Sequence, residues 1–263
     1  MPCWFGNRFL NNSMVSFFKS SLAKKYVMAA TGFVLVSFAV GHMVGNLQFH
    51  LPPEAINRYA RLLHASEELL WGVRLVMLTS VGLHIWCAIQ LSLENKVARP
   101  VGYYDNPAPL AANYASRTML VSGSIIFAFV VYHLLHYTLR VETINGASVP
   151  FTSLKTAEGN LEVYAMMGAG FSVWYISLFY LVGVGLLCLH LSHGIQAMFQ
   201  SLGWKNNVYG PLLNKAAKAV AIFLFLGYAS IPLSVVVCQH GKAYLNEVVQ
   251  KAAADAPAGE VKK

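Results

Sequence analysis

The chain has 263 residues, of which 56% are hydrophobic and 11% are charged, whereas about a quarter of the residues in soluble domains are charged. This balance excludes an ordinary soluble protein and indicates an integral membrane protein. The formal net charge of +8 does not indicate nucleic-acid binding, because the basic residues are scattered between apolar runs and form no basic-aromatic patch.

Five apolar stretches are each long enough to cross the hydrocarbon core of a bilayer, which takes about 20 residues of helix. The predicted spans are Tyr26–Leu47, Leu70–Leu93, Thr118–Leu139, Phe171–Phe199 and Ala216–Val237. They divide the chain into an N-terminal segment at 1–25, a transmembrane domain at 26–240 and a tail at 241–263 whose composition predicts disorder. No cleaved signal is expected, because no short apolar stretch with a small-residue cleavage site precedes the first span.

The distribution of basic residues predicts the orientation of the chain in a cell's inner, cytoplasmic membrane. If the N-terminus is inside, the inner segments hold Arg8, Lys19, Lys24, Lys25, Lys96, Arg99, Arg117, Lys205, Lys215 and Lys218. The outer loops before the tail hold only Arg58, Arg61, Arg74, Arg140 and Lys155. Because cytoplasmic loops carry an excess of Lys and Arg, we expect the N-terminus to be cytoplasmic and the C-terminus to be outside. The loop PPEAINRYARLLHASEELLW has apolar residues at helical spacing and predicts an amphipathic helix on the outer surface.

Six of the nine histidines fall within the predicted spans: His42, His84, His133, His136, His190 and His193. An ionisable side chain in a bilayer is costly and therefore indicates a functional role, although a single imidazole can also serve as a hydrogen-bonding group between helices. Six such residues are too many for that second explanation alone.

Four of these histidines lie towards the C-terminal end of their own spans, and successive spans run in opposite directions. Their depths therefore alternate. His42 and His133 share an outer level, and His84 and His190 share an inner level. In an up-and-down bundle of four helices, alternate helices lie diagonally across the core, so the two members of each pair face each other.

Two histidines on opposite sides of a bundle core are too far apart for a direct hydrogen bond, but they can hold a flat ring between them with one imidazole on each face of an iron. The sequence has no C-x-x-C-H attachment motif. We therefore expect two non-covalent b-type haems. The expected fold is an all-α membrane protein in which helices one to four form an antiparallel haem-binding bundle and the fifth helix is peripheral.

Residues ten positions before the four histidines lie about 15 Å away along each helix. Gly32 and Gly123 precede His42 and His133 by ten residues, and we expect both glycines to leave space for the inner haem. Arg74 precedes His84 by ten residues and is a candidate partner for an outer-haem propionate, or a side chain that snorkels at a helix end.

His136 and His193 follow His133 and His190 by three residues, nearer the membrane surfaces. They are candidates for hydrogen bonds to propionates or to a quinone. Because a spacing of three keeps both residues of each pair on one helix face, either can also replace its neighbour as the iron ligand.

From about Ser16 to His240, the chain resembles the single-chain, five-helix, two-haem cytochrome b subunits of succinate dehydrogenase and fumarate reductase, most closely the b558-type members. The resemblance is carried by TGFVLVSFAVGHMVGNL in the first span, RLVMLTSVGLHIWCAIQL and NKVARPVGY in and after the second, SGSIIFAFVVYH in the third and LHLSHGIQAMFQSLGW in the fourth. It implies the membrane subunit of an enzyme whose succinate site is elsewhere. A flavoprotein subunit with FAD oxidises succinate, an iron–sulfur subunit passes the electrons on, and this chain delivers them to a membrane quinone, expected to be menaquinone.

The resemblance also bears on individual residues. The family's H-x-S-x-G pattern carries the ligand at its first position, which implies His190 rather than His193, and the glycine spacing of the third span implies His133 rather than His136. It further implies that Arg99, Arg117 and Lys205 lie near the surface that docks the iron–sulfur subunit.

The chain departs from some fumarate-reducing relatives that move protons through the protein and carry a Glu two residues before the fourth ligand. Cys188 occupies that position here. A transmembrane proton path is therefore not expected, and the candidates for proton exchange at the outer face are Glu54, Glu67 and Glu68.

Two other classes of protein fit parts of the pattern. One is the quinone-reactive cytochrome b subunit of a hydrogenase or formate dehydrogenase, which the identity of the partner subunits distinguishes. The other is a proton-coupled transporter with histidine relays, which would show no haem absorbance. The sequence has no phosphate loop, zinc-protease motif or Ser-His-Asp arrangement to indicate hydrolytic chemistry.

Overall fold

The computed structural model describes residues 20–98, 118–156 and 158–254. The secondary structure of these ranges is helical, apart from an isolated bridge between Lys155 and Leu161. The α-helices within them are α1 Ser21–Asn46, α2 Pro53–His64, α3 Glu67–Val97, α4 Met119–His133, α5 Glu142–Asn145, α6 Val163–Phe171, α7 Trp174–Ser201, α8 Gly210–Cys238 and α9 Lys242–Ala254. Short 3-10 turns occupy Leu47–His50 and Phe151–Ser153, and a π-helical turn occupies Leu134–Thr138.

Five helical segments are long and apolar enough to span a membrane, which confirms the five predicted spans. They are Ser21–His50, Glu67–Val97, Met119–Thr138, Trp174–Ser201 and Gly210–Cys238. Several extend beyond the predicted ends, because polar residues such as Glu67 and Lys96 continue a helix past its apolar part. Large apolar side chains on the spans are exposed, including Phe33, Leu78 and Leu226, as expected of surfaces in contact with lipid. The chain is thus a multi-pass membrane protein.

The tail predicted to be disordered at 241–263 contains the helix α9, so this part of the prediction is wrong for Lys242–Ala254. Tyr244, Leu245, Val248 and Val249 recur at helical spacing, and all four pack into a hydrophobic cluster. Burial of this face stabilises a helix that composition alone does not predict. Residues 255–263 lie outside the described part of the chain, as do residues 1–19 of the predicted N-terminal segment.

The chain divides into two compact units. The first comprises Met1–Phe38, Trp71–Leu120 and Leu191–Val220. In this unit, the Lys24 side chain is only 5% exposed. Its ammonium group forms an ion pair with Glu94, which joins the start of α1 to the end of α3.

The second unit comprises Ala39–Leu70, Val121–His190 and Ala221–Lys263. Three helices of this unit that do not span the membrane, α2, α6 and α9, are called the cap, together with the 3-10 turn Phe151–Ser153. The cap has a hydrophobic core formed by Phe151, Leu154, Ala165, Met166, Ala169 and Val248. Helix α6 contacts both α2 and α9. Within this unit, Phe151 also stacks on Tyr137 and lies 5.4 Å from the ring of His136, which connects the cap core to the π-helical turn after α4.

A buried carboxylate joins the three cap helices. Glu162, which is 2% exposed, accepts hydrogen bonds from the side-chain amide of Asn57 on α2 and from the hydroxyl of Tyr244 on α9, the latter at 2.9 Å. The side-chain oxygen of Asn57 accepts a hydrogen bond from the backbone N–H of Tyr164 on α6 at 3.1 Å. Burial and the neighbouring Glu162 carboxylate raise the pKa of Tyr244 above its usual value. The phenol therefore stays protonated and keeps its hydrogen for the carboxylate.

Replacing Glu162 with alanine is expected to loosen the cap, because the buried amide of Asn57 and the hydroxyl of Tyr244 both lose their acceptor. An unsatisfied buried polar group costs about 1–3 kcal/mol. Hydrogen exchange of the α9 amides in the detergent-solubilised protein measures the change. Glu158→Ala is the matched control, because Glu158 belongs to the same connection but is exposed. Equal α9 exchange rates in the two variants would contradict this role of Glu162.

Candidate functional site

The second unit brings together His42, near the end of α1, and His133, the last residue of α4. Their ring centroids are 5.8 Å apart and the ring planes are inclined by 82°. Both residues are half-buried. Two metal–imidazole bonds of about 2 Å each, plus two ring radii, would place the centroids of opposite iron ligands at nearly this separation. The pair predicted from depth alone is thus adjacent in the structure.

Tyr180 on α7 contacts His133 and the neighbouring candidate His136. Its hydroxyl lies 3.4 Å from Nδ1 of His133 and 2.9 Å from Nδ1 of His136. His136 lies in the π-helical turn Leu134–Thr138 and is fully buried, at 0% exposure. Of these two candidate ligands, His133 is half-buried and lies beside His42, whereas His136 is fully buried.

In the first unit, Thr31 and Gly32 of α1 both contact His84. The hydroxyl oxygen of Thr31 lies 3.2 Å from Nδ1 of His84, and its hydrogen is directed to the backbone carbonyls of Val27 and Met28 at 2.8 and 3.1 Å. The oxygen is therefore placed to accept the Nδ1 hydrogen of His84, a tautomer that leaves Nε2 available for a metal. A Cβ atom at position 32 would lie 3.6 Å from Cε1 of His84, so Gly32 borders the imidazole directly.

In the second unit, Ser122 and Gly123 of α4 have the same relation to His190. The Ser122 hydroxyl lies 3.2 Å from Nδ1 of His190, and a Cβ atom at position 123 would lie 3.5 Å from its Cε1. Sequence reasoning identified the two glycines but missed the two hydroxyls. The signal was present, because a hydroxyl residue immediately precedes the glycine in both ATGFVLVSFAVGH and VSGSIIFAFVVYH.

The fifth span also contributes to the surroundings of a candidate ligand. The ring centroid of Tyr228 on α8 lies 6.3 Å from that of His42, and the Tyr228 hydroxyl donates to the carbonyl of Ala39 at 2.7 Å. Gly227 allows this approach, because a Cβ there would overlap Met43 of α1. Within the second unit, the helix predicted to be peripheral therefore packs against α1 beside His42.

The remaining predicted site residues have separate positions. Arg74 is exposed on α3, with its guanidinium carbon 5.1 Å from the ring centre of Trp71. His193 is half-buried, and its Nδ1 has no hydrogen-bond partner among the residues described. Lys205 is half-buried in the first unit, whereas Arg99 and Arg117 lie outside the described residues.

In the ranges that the structure covers, no group of three or more His, Cys, Asp or Glu side chains is arranged to hold a metal ion. The predicted haem irons take two protein ligands each, because the porphyrin supplies the others.

The acidic candidates for outer-face proton exchange, Glu54, Glu67 and Glu68, are all exposed. Glu68 accepts a hydrogen bond from Ser66 at 3.0 Å. The buried acidic side chain of the cap is Glu162, which sequence reasoning did not single out because a single Glu between polar loop residues carries no pattern.

Neither protein-family models, nor curated proteins, nor solved structures gave a match to this chain.

Proposed function

We propose that this chain is the membrane-anchor cytochrome b subunit of a succinate:quinone oxidoreductase, in which His42 with His133 holds one b haem and His84 with His190 holds a second. The observation that carries the haem assignment is the 5.8 Å approach of the His42 and His133 rings, which lie on different helices and about 90 residues apart in the chain. The motifs that resemble the b558-type subunits support the choice of enzyme.

The residues around the histidines fit a haem in two respects. The hydroxyls of Thr31, Ser122 and Tyr180 lie at the Nδ1 atoms of His84, His190 and His133. Hydrogen bonds at Nδ1 fix the ring orientation and the tautomer whose Nε2 binds iron. The two glycines beside the imidazoles of His84 and His190 remove side-chain bulk where a flat ring would lie.

When bound, each haem would supply a one-electron carrier within the membrane. The protein's own contribution would be to hold each iron with two neutral imidazoles, three of the four oriented by the hydroxyls of Thr31, Ser122 and Tyr180. Apolar side chains lie around the candidate ligands. One of them is the buried Phe129, whose ring lies beside that of His133. Such surroundings limit access of water and thereby influence the reduction potential.

The same proposal includes the topology and the partners. The N-terminus is cytoplasmic, and the inner surface near Lys205, Arg99 and Arg117 docks an iron–sulfur subunit that receives electrons from a flavoprotein carrying FAD. The electron acceptor is a membrane quinone, expected to be menaquinone. The excess of basic residues in the segments assigned to the inside supports this orientation.

The test is to express the chain with an ample supply of haem, purify it in detergent and determine haem by extraction and by the reduced-minus-oxidised spectrum. We expect two acid-extractable b haems per chain, and co-purification of the complete complex with a flavin-bearing subunit that oxidises succinate. A colourless protein would refute the haem proposal, and it is the result expected of a histidine-relay transporter. Two haems together with a metal-centred hydrogenase or formate dehydrogenase partner would instead refute the assignment to succinate oxidation.

A further inference from the structure

Tyr180 lies between two histidines that the sequence presents as alternative ligands. Its side chain is 6% exposed, and its ring centroid is 6.0 Å from that of His133 and 5.7 Å from that of His136. The hydroxyl approaches Nδ1 of both rings, with the shorter contact, 2.9 Å, to His136. One phenol therefore connects a half-buried imidazole with a fully buried one.

The chemistry of these three groups determines the direction of the hydrogen bonds. An imidazole that binds iron through Nε2 carries its hydrogen on Nδ1 and can only donate there. The Tyr180 oxygen accepts this hydrogen from His133, and the single hydroxyl hydrogen of Tyr180 is then directed to Nδ1 of His136, which accepts it. With iron on Nε2 of His133, the chain would run from His133 through Tyr180 to His136, whose own hydrogen would then lie on Nε2, an atom without a hydrogen-bond partner among the described residues.

We propose that Tyr180 and His136 are positioning residues that act on the haem iron through His133, and that His136 is not a spare ligand. This inference rests on the proposed function, since it requires a haem between His42 and His133. The packing of His136 agrees with it. A Cβ atom at position 170 would lie 3.2 Å from Cε1 of His136, so the backbone of α6 closes against that ring and leaves no room for a porphyrin on that side.

The arrangement differs from that at Thr31 in a way that would affect the iron. Thr31 directs its hydrogen to backbone carbonyls of its own helix, whereas Tyr180 passes its hydrogen to a second imidazole. Consecutive hydrogen bonds polarise one another, so Tyr180 becomes a better acceptor for the Nδ1 hydrogen of His133. A stronger bond at Nδ1 makes the ligand more electron-rich, which favours ferric iron and lowers the reduction potential of this haem.

The experiment is a redox titration of the purified two-haem protein, with the α-band of each haem followed separately. Tyr180→Phe is expected to retain both haems and to raise the potential of the haem held by His133, while the other haem keeps its potential. A tenfold change in the ratio of oxidised to reduced haem corresponds to about 59 mV for a one-electron couple, and we expect a shift of this order. Tyr132→Phe is the matched control, because Tyr132 lies in the same aromatic cluster but donates its hydroxyl to the carbonyl of Ile144.

A second set of variants tests the role of His136. His136→Phe removes the acceptor and is expected to raise the same potential with both haems retained, whereas His136→Gln keeps an acceptor oxygen and is expected to restore much of the native value. In the double variant Tyr180→Phe/His136→Phe, the two shifts should not add, because both act through one chain of hydrogen bonds.

Unchanged potentials in a two-haem Tyr180→Phe protein would overturn this inference and leave the proposed function intact. Loss of one haem in both His136 variants would identify His136 as a ligand and would also overturn this inference. If the Tyr180→Phe protein does not retain the haem, the redox titration of His136→Phe tests the inference instead. A wild-type potential in His136→Phe would refute the inference. A wild-type protein without haem refutes the proposed function together with it.

Discussion

Replacement of His133 with alanine is expected to remove one haem from each chain and to leave the other in place. The haem proposed to be held by His42 and His133 would lose one of its two imidazole ligands, and His136, in the π-helical turn after α4, is fully buried and therefore not available to replace it. His42→Ala should give the same spectrum, since the two rings form one site at a centroid distance of 5.8 Å. The haem content per polypeptide, measured by extraction, should fall to about half of the wild-type value in both variants.

His136→Ala and His193→Ala are the matched controls for this experiment, because each lies one helical turn beyond a proposed ligand. Both variants should keep two haems. A His133→Ala protein with two haems, or a His136→Ala protein with one, would show that the assignment of ligands on α4 is wrong.

Leucine at position 32 or at position 123 is expected to remove the haem held by His84 and His190. A Cβ atom at either position is tolerable, because it would lie 3.6 Å from Cε1 of His84 or 3.5 Å from Cε1 of His190. The further carbons of leucine would extend over the imidazole, into the space proposed for the porphyrin. Glycine is less favourable than alanine in a helix by about 0.8–1.0 kcal/mol, and leucine ranks close to alanine. The helix itself is therefore not expected to be weakened, and the loss would be steric.

Haem content and the amount of folded protein are both measured for these variants. Gly32→Ala and Gly123→Ala should retain the haem, and Gly72→Leu is the control for adding leucine to a spanning helix, because nothing lies within 4 Å of a Cβ at that position. Full haem content in both leucine variants would show that the two glycines do not border the haem.

The sequence predicted the five spans and the proximity of His42 and His133, because both depend on simple periodic quantities. A span is visible as an apolar stretch of the length of a bilayer, and the depth of a residue follows from its position in the span. Helix ends were less predictable. Glu67 and Lys96 lie inside α3, since helical hydrogen bonding continues through polar residues that the hydropathy pattern assigns to loops.

The cap and the hydroxyl contacts could not be predicted, because they depend on contacts between segments that are distant in sequence. Glu162 is 105 residues from Asn57 and 82 residues from Tyr244, and no local pattern relates these positions. The same holds for Tyr180 and His136, which are 44 residues apart. Helix α9 was mistaken for a disordered tail because its apolar residues acquire a partner only in the folded unit.

The position of α9 in the chain has a consequence for biogenesis. Tyr244 and Val248 belong to a segment that leaves the ribosome after all five spans. Until they are synthesised, the hydrophobic core of the cap lacks Val248 and the Glu162 carboxylate lacks its hydrogen bond from Tyr244. Phe151 of that core packs against His136 and Tyr137, immediately after His133. We therefore expect the core of the cap to complete its packing only after all five spans have been synthesised.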